Sequence, residues 1–137
     1  MEWMFMPLSR YADFSGRSQR MEYWMYTLFQ TTVLIGLAIL FVAVFGLADD
    51  VSNNGNVIFG LVFGLVAYLL VFMIPNISVT VRRWHDLGQS GWFMLLFAFL
   101  GAIPFVGAFA GIANLVWFCL PGNSGANKYG DDPLAGY

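Results

Sequence analysis

The densest group of side chains able to do chemistry lies in the middle of the chain, in the sequence Arg82-Arg83-Trp84-His85-Asp86. A histidine beside an aspartate has the composition of an acid–base pair, and two arginines suit a phosphate group. No second His, and no Cys or further carboxylate, lies nearby at the spacing of metal ligands. The sequence therefore predicts neither a metal site nor a bound cofactor here.

The same residues also fit a structural interpretation. Arg82 and Asp86 are four residues apart, so they could form an ion pair on one face of a helix. Gly88 suits the position just after a helix end. In this interpretation the cluster is an ion-paired turn between two helices.

A second polar cluster precedes the first apolar run of the chain. Arg17 and Arg20 lie three residues apart, so they could hold lipid phosphates near one face of a helix. Glu22 begins the apolar run, where an unpaired charge is costly. We expect Glu22 to pair with Arg82 or Arg83 if the two polar clusters meet. The candidate binding residues are Arg17, Arg20, Glu22, Arg82, Arg83, His85 and Asp86.

The composition requires a lipid environment. The 137 residues are 59% hydrophobic and 10% charged, and the mean hydropathy is +0.70. Soluble domains carry about 25% charged residues, and a chain this short buries too little of its surface to hide so much apolar area. Six basic residues are too few for a nucleic-acid-binding surface. The sequence therefore predicts a single membrane domain over residues 1–137.

Three apolar runs, at about residues 23–47, 57–81 and 92–120, could each form a membrane helix. A bilayer core of ~30 Å needs about 20 helical residues. The first run is too long for the apolar region of a signal peptide, about 7–15 residues, so we expect it to be retained. Residues 121–137 form a polar tail. The sequence thus predicts an all-α integral membrane protein.

Glycine and proline interrupt the third run at Gly101, Pro104 and Gly107. Pro104 would either kink a single span or end the first arm of a re-entrant hairpin. Two complete spans would need about 40 residues, which this run does not have. A single kinked span, with the C-terminus on the outer side, is the favoured prediction.

The basic residues predict the orientation. Arginines precede the first run and separate the second from the third, whereas the loop at residues 48–56 has none. Cytoplasmic loops carry the excess of Lys and Arg. We therefore expect the N-terminal segment 1–22 and the Arg82–Gly91 loop to face the cytoplasm, and loop 48–56 to face outward.

Two pairs of glycines have the spacing of helix-packing motifs, Gly60 with Gly64 and Gly107 with Gly111. Small residues four apart let two helices approach closely. This packing could join two copies in a homo-oligomer, or it could join helices within one chain.

Three motifs lie along the chain: Tyr11…Asp13-Phe14-Ser15-Gly16-Arg17…Arg20…Glu22-Tyr23-Trp24, Arg82-Arg83…His85-Asp86…Gly88…Ser90-Gly91-Trp92, and Pro121-Gly122…Gly125…Asn127…Tyr129-Gly130…Asp132-Pro133. Together they resemble the domain of unknown function 805 family, the bacterial YhaH-like inner-membrane proteins. The resemblance covers nearly the whole chain in the right order and implies a bacterial inner-membrane location without any known activity. Trp84 and Gln89 depart from it, because the family usually has a leucine and often a basic residue there.

Three functional hypotheses follow. The first is a non-catalytic membrane protein whose cytoplasmic clusters bind membrane lipids or a protein partner of unknown identity. The second is an oligomeric transporter or channel for a small solute. The third is a lipid-modifying enzyme at the cytoplasmic surface, with His85 and Asp86 as acid–base residues and Arg82 and Arg83 holding a phosphate.

Overall fold

The residues that the structure describes form five α-helices. The computed structural model describes residues 2–45 and 55–135, so the end of the first predicted run and nearly all of loop 48–56 lie outside these ranges. The described residues contain no β-strand, so the predicted all-α class is confirmed. The helices are α1 (Glu2–Ser9), α2 (Arg20–Phe45), α3 (Gly55–Asp86), α4 (Phe93–Gly101) and α5 (Val106–Cys119).

Helices α2 and α3 are each long and apolar enough to span a membrane. Their 26 and 32 residues correspond to about 39 and 48 Å of helix, more than the ~30 Å bilayer core. Apolar side chains along both helices, such as Ile39 and Phe63, are exposed and would face lipid. Phe29 contacts Phe72, and Glu22 at the start of α2 pairs with Arg82 at the end of α3. The two helices are therefore antiparallel.

Helices α4 and α5 form a hairpin, so the prediction of a single kinked span is wrong. Trp84 contacts Phe93 at the start of α4 and Trp117 near the end of α5, with ring centroids 5.4 and 5.7 Å away. Both ends of the hairpin thus lie at the end of α3. Helix α4 has only nine residues, about 14 Å, which covers less than half of the bilayer core.

The chain reverses at Pro104 and Phe105. Pro104 has no N–H to continue a helix, and Phe105 adopts φ 63°, which a non-glycine residue seldom does. A Cβ on Gly107 would lie 2.5 Å from the carbonyl oxygen of Gly101, so the two arms touch where neither has a side chain. Gly107 therefore packs within the chain.

The N-terminal segment contains a helix that the sequence did not predict. Phe5 of α1 contacts Phe29 of α2 at a centroid distance of 5.2 Å. The hydroxyl of Tyr11 donates to the carbonyl oxygen of Leu70, 2.8 Å away in the middle of α3. Residues 2–11 thus pack along the two long helices instead of forming a free segment.

The hairpin predicts that the two chain ends share one side of the membrane. In a Cys119→Ser background, single cysteines replacing Ser15 and Ser124 should react with an impermeant maleimide from the same side, because both positions are exposed at the same end of the molecule. Labelling in right-side-out and inverted vesicles measures this. Labelling of the two positions from opposite sides would restore the kinked span.

Candidate functional site

A buried ionic cluster lies where α2 begins and α3 ends. It contains three arginines and two carboxylates, so it has one excess positive charge. Arg82 Nη2 donates to Glu22 Oε1 at 3.1 Å, and both side chains are at most 3% exposed. The predicted pairing of Glu22 with Arg82 or Arg83 is thus confirmed, and Arg82 is the partner. The members are Arg17, Glu22, Arg82, Arg83 and Asp86.

Asp86 is shared by two arginines, and neither is Arg82. Arg17 donates to Oδ1 through Nε at 3.0 Å, and Arg83 donates to Oδ2. The predicted Arg82–Asp86 pair is therefore wrong. Successive residues on a helix point about 100° apart, so Arg82 faces α2 while Arg83 faces the other side of α3.

The remaining donors of Arg17 and Arg83 bind backbone carbonyl groups. Arg83 Nη2 donates to the carbonyls of Phe118, at 3.1 Å, and Leu120 at the end of α5. The last carbonyls of a helix have no partner inside the helix and carry partial negative charge, so a cation stabilises them. Arg17 donates in the same way to Asn123 and to Gly125, the latter at 2.5 Å. The cluster thereby fastens α5 and the tail to α3.

Gly122 permits the tail to approach Asp86. A Cβ built on Gly122 would overlap the Asp86 carboxylate, so any other residue would push the tail away. The next residue, Asn123, donates its backbone N–H to the Asp86 carbonyl oxygen at 2.9 Å. The sequence alone did not predict that the tail forms part of the site. The only residue that pointed to a close approach of the tail was the glycine that follows Pro121.

His85 is held from two sides. Its Nδ1 lies 3.2 Å from the carbonyl oxygen of Gly16, and its ring stacks on Tyr129 at a centroid distance of 3.9 Å. The amide of Asn127 donates to the His85 carbonyl oxygen at 3.0 Å. The tail therefore lies over the last turn of α3.

Two of the seven candidate residues line cavities without forming an ion pair within the described chain. Arg20 is exposed and lines a cavity of about 680 Å³ between the start of α2 and the tail. His85 is half-buried and lines a separate cavity of about 370 Å³. The other five are buried and engaged within the chain, although Asp86 also borders the first cavity. Among the described residues, no three His, Cys, Asp or Glu side chains are grouped as metal ligands.

The larger cavity carries both signs of charge. Arg20 lies on the α2 wall and Asp132 on the tail wall. Hydrogen bonds from the backbone amides of Leu134 and Gly125 lower the pKa of Asp132, so this carboxylate is ionised at neutral pH. Trp24 and Met21 provide apolar surface beside them.

Comparison with known proteins identifies the family of this chain. A family model described as "Protein of unknown function (DUF805)" matches residues 11–131. The chain belongs to the DUF805 family. Inner membrane protein YhaI of Escherichia coli (strain K12) is 36% identical over 99% of this chain and 98% of its own length. Inner membrane protein YhaH of the same strain is 34% identical, over 97% of each chain.

No solved structure matches this DUF805 chain. Both relatives are named inner membrane proteins, and this chain has two long apolar helices. The prediction of a membrane protein is therefore confirmed. The family description contains no activity. All the motifs that carried the resemblance lie within or just beyond the matched segment, and they coincide with the cluster and the tail that covers it.

Breaking the buried Glu22–Arg82 pair should destabilise the protein, whereas neutralising an exposed carboxylate should not. Glu22→Gln should lower the free energy of unfolding by about 3 kcal/mol, because it leaves Arg82 buried without a counter-charge. Asp131→Asn, at an exposed position, is the matched control and should change it by less than about 0.5 kcal/mol. Denaturant titration in detergent measures both.

The double variant Glu22→Gln with Arg82→Gln measures the interaction energy between the two side chains. The two losses should be clearly non-additive, since either change alone already breaks the same contact. Additive losses, or a Glu22→Gln protein as stable as the parent, would show that the ion pair contributes nothing.

Proposed function

We propose that the protein is a non-catalytic inner-membrane protein that binds a phospholipid headgroup in the cavity beside Arg20. The cavity itself carries this proposal, because it combines an exposed guanidinium, an ionised carboxylate and apolar side chains at the end of a membrane-spanning pair. The guanidinium fork of Arg20 matches a phosphate in shape and charge.

The depth of the cavity suits a headgroup. Arg20 is the first residue of α2, and Trp24 is one turn further along, about 6 Å deeper. Tryptophan is enriched at the boundary between headgroups and hydrocarbon. A phospholipid placed there would put its phosphate near Arg20 and its first acyl carbons against Trp24 and Met21.

The charges on the two walls favour a zwitterionic headgroup. Asp132 can receive an ammonium group while Arg20 holds the phosphate, and phosphatidylethanolamine carries both groups. Ser124 and Gln19 line the same space and offer further hydrogen bonds. An anionic headgroup such as that of phosphatidylglycerol would meet Arg20 equally well but would gain nothing from Asp132.

The arginine distribution supports a cytoplasmic position for this end of the molecule. Because the hairpin folds back, Lys128 lies beside Tyr129 at the same end as the five arginines. All six basic residues of the sequence are then on one side, as in cytoplasmic segments of multi-pass proteins. A cytoplasmic N-terminus and a cytoplasmic tail form part of the proposal.

The contacts of the cluster favour binding over catalysis. Asp86 accepts from two arginines, and the Nδ1 of His85 contacts Gly16. Neither residue is the partner of the other, so the two do not form an acid–base pair. For self-association we favour Gly60 and Gly64 over the second glycine pair, because Gly107 already packs against the Gly101 backbone whereas Gly64 faces open space.

Arg20→Ala should weaken phosphatidylethanolamine binding roughly tenfold, because a charge-assisted hydrogen bond contributes about 1.5–3 kcal/mol. Lys128→Ala removes an exposed cation at the same end but outside the cavity, and it should have little effect. Native mass spectrometry of the purified protein with added phosphatidylethanolamine or phosphatidylglycerol measures the affinities.

Asp132→Asn tests the choice of headgroup. It should weaken the binding of phosphatidylethanolamine and leave the binding of phosphatidylglycerol unchanged, since only the former has an ammonium group. Equal binding by the Arg20→Ala and Lys128→Ala proteins would exclude the cavity as the lipid site.

A further inference from the structure

The cavity beside His85 has a different chemistry from the one beside Arg20. Its walls come from α3, from α4 and the loop before it, and from the N-terminal segment, and they include no arginine, lysine or carboxylate. Most of the lining is apolar, with His85 and Ser90 as the polar side chains. The lining residues are Phe14, Ile77, Val81, His85, Ser90, Gly91, Trp92, Met94 and Leu95.

The tautomer of His85 follows from its contact with Gly16. A carbonyl oxygen only accepts, so Nδ1 carries the proton and donates to it. In the neutral ring, Nε2 is then an acceptor. Among the described residues, no carboxylate lies within ion-pair distance of His85 and no group hydrogen-bonds to Nε2. The ring therefore has one acceptor available to a ligand.

Glycine at position 91 keeps this acceptor accessible. A Cβ on Gly91 would lie 3.4 Å from His85 Nε2 and 2.7 Å from the Val81 side chain. A larger residue there would crowd the nitrogen and the cavity. Nearby, Ser90 Oγ lies 3.4 Å from the Trp92 amide and accepts from it, which leaves the hydroxyl proton free to donate.

The cavity extends from this polar end into the membrane layer. Ile77, Val81 and His85 are four residues apart and share one face of α3, so the wall continues about 12 Å from His85 towards the membrane centre. Trp92 and Leu95 on the opposite wall are more than half exposed, which leaves the side open to lipid. The shape suits a molecule with a small polar head and an apolar body.

We propose that this cavity binds a membrane-dissolved amphiphile whose uncharged head carries a hydroxyl group. The hydroxyl would donate to His85 Nε2, its oxygen or a neighbouring carbonyl would accept from Ser90, and the apolar body would lie along Val81 and Ile77. A phosphate is disfavoured because no cation lines the cavity. Diacylglycerols and isoprenoid-type quinols both have this chemistry. The site does not depend on the phospholipid site beside Arg20.

Calorimetric titration of the full chain in detergent micelles, with two pairs of probes, tests this proposal. Dioctanoylglycerol is compared with trioctanoylglycerol, and decylubiquinol, kept anaerobic, with decylubiquinone; the second member of each pair lacks the donating hydroxyl. At least one hydroxyl-bearing probe should bind more tightly than its partner, by roughly threefold to tenfold, the value of one neutral hydrogen bond. The pair that shows the difference identifies the source of the ligand.

His85→Asn separates the ligand contact from the structural one. The asparagine amide can still donate to Gly16 from the position of Nδ1, but it offers no acceptor at the position of Nε2. This variant should lose the preference for the hydroxyl-bearing probe without losing its fold by circular dichroism. Leu95→Trp, which fills the cavity from the opposite wall, should abolish binding of both probes, whereas Arg20→Ala should leave it unchanged.

Three outcomes would overturn the proposal. They are the absence of binding by all four probes, equal affinity within both pairs, and a His85→Asn protein that keeps the parent's preference.

Discussion

Asp86 sits between two guanidinium groups in the interior of the protein at the end of α3, and its carboxylate is only 4% exposed. Burying a charge is costly unless every partner is in place, and removal of one partner leaves the others uncompensated. Here the partners come from separate parts of the chain, since Arg17 lies before α2 and Arg83 lies on α3. The N-terminal segment and the end of α3 must therefore assemble together.

The guanidinium groups extend this constraint to the rest of the fold. Arg83 reaches the last carbonyls of α5, which fixes the returning arm of the hairpin beside the end of α3. Arg17 reaches Asn123 and Gly125, which brings the tail over the same helix end. The one excess positive charge of the cluster is offset by these carbonyl dipoles rather than by a third carboxylate. Both cavities are walled by segments that the cluster holds.

The length and hydropathy of the apolar runs were sufficient to predict α2 and α3, because a continuous apolar helix longer than the bilayer core has few alternatives. The expectation that Glu22 pairs with Arg82 or Arg83 rested on antiparallel packing of those helices, and the structure selects Arg82. Helix α1 was not predictable, since eight residues, six of them apolar and one of these Pro7, show no clear helical pattern. The hairpin was one of two outcomes that Pro104 permits. The contacts of α5 with Arg83 decide between them, and such long-range contacts leave no trace in local spacing.

The two partners of Asp86 also show that local spacing does not predict long-range contacts. Spacing of four residues made Arg82 a good local partner, but burial selected Arg17, which is 69 residues away, and Arg83. Tertiary packing outweighed a helical pair that contributes only about 0.2–0.5 kcal/mol on an exposed surface. Five of the seven candidate residues are buried in the ionic cluster. Only Arg20 and His85 both line a cavity and lack an ion-pair partner among the described residues.

Hydrogen–deuterium exchange of the tail in an Asp86→Asn protein tests most directly whether this carboxylate organises the segments packed around the end of α3. Asn123 and Asn127 use their backbone amides in hydrogen bonds that depend on the folded tail. Loss of the Asp86 charge should release Arg17, so amides in residues 123–130 should exchange at least tenfold faster while those in the middle of α3 keep their protection. Unchanged protection of the tail would contradict the account and would assign the position of the tail to other contacts.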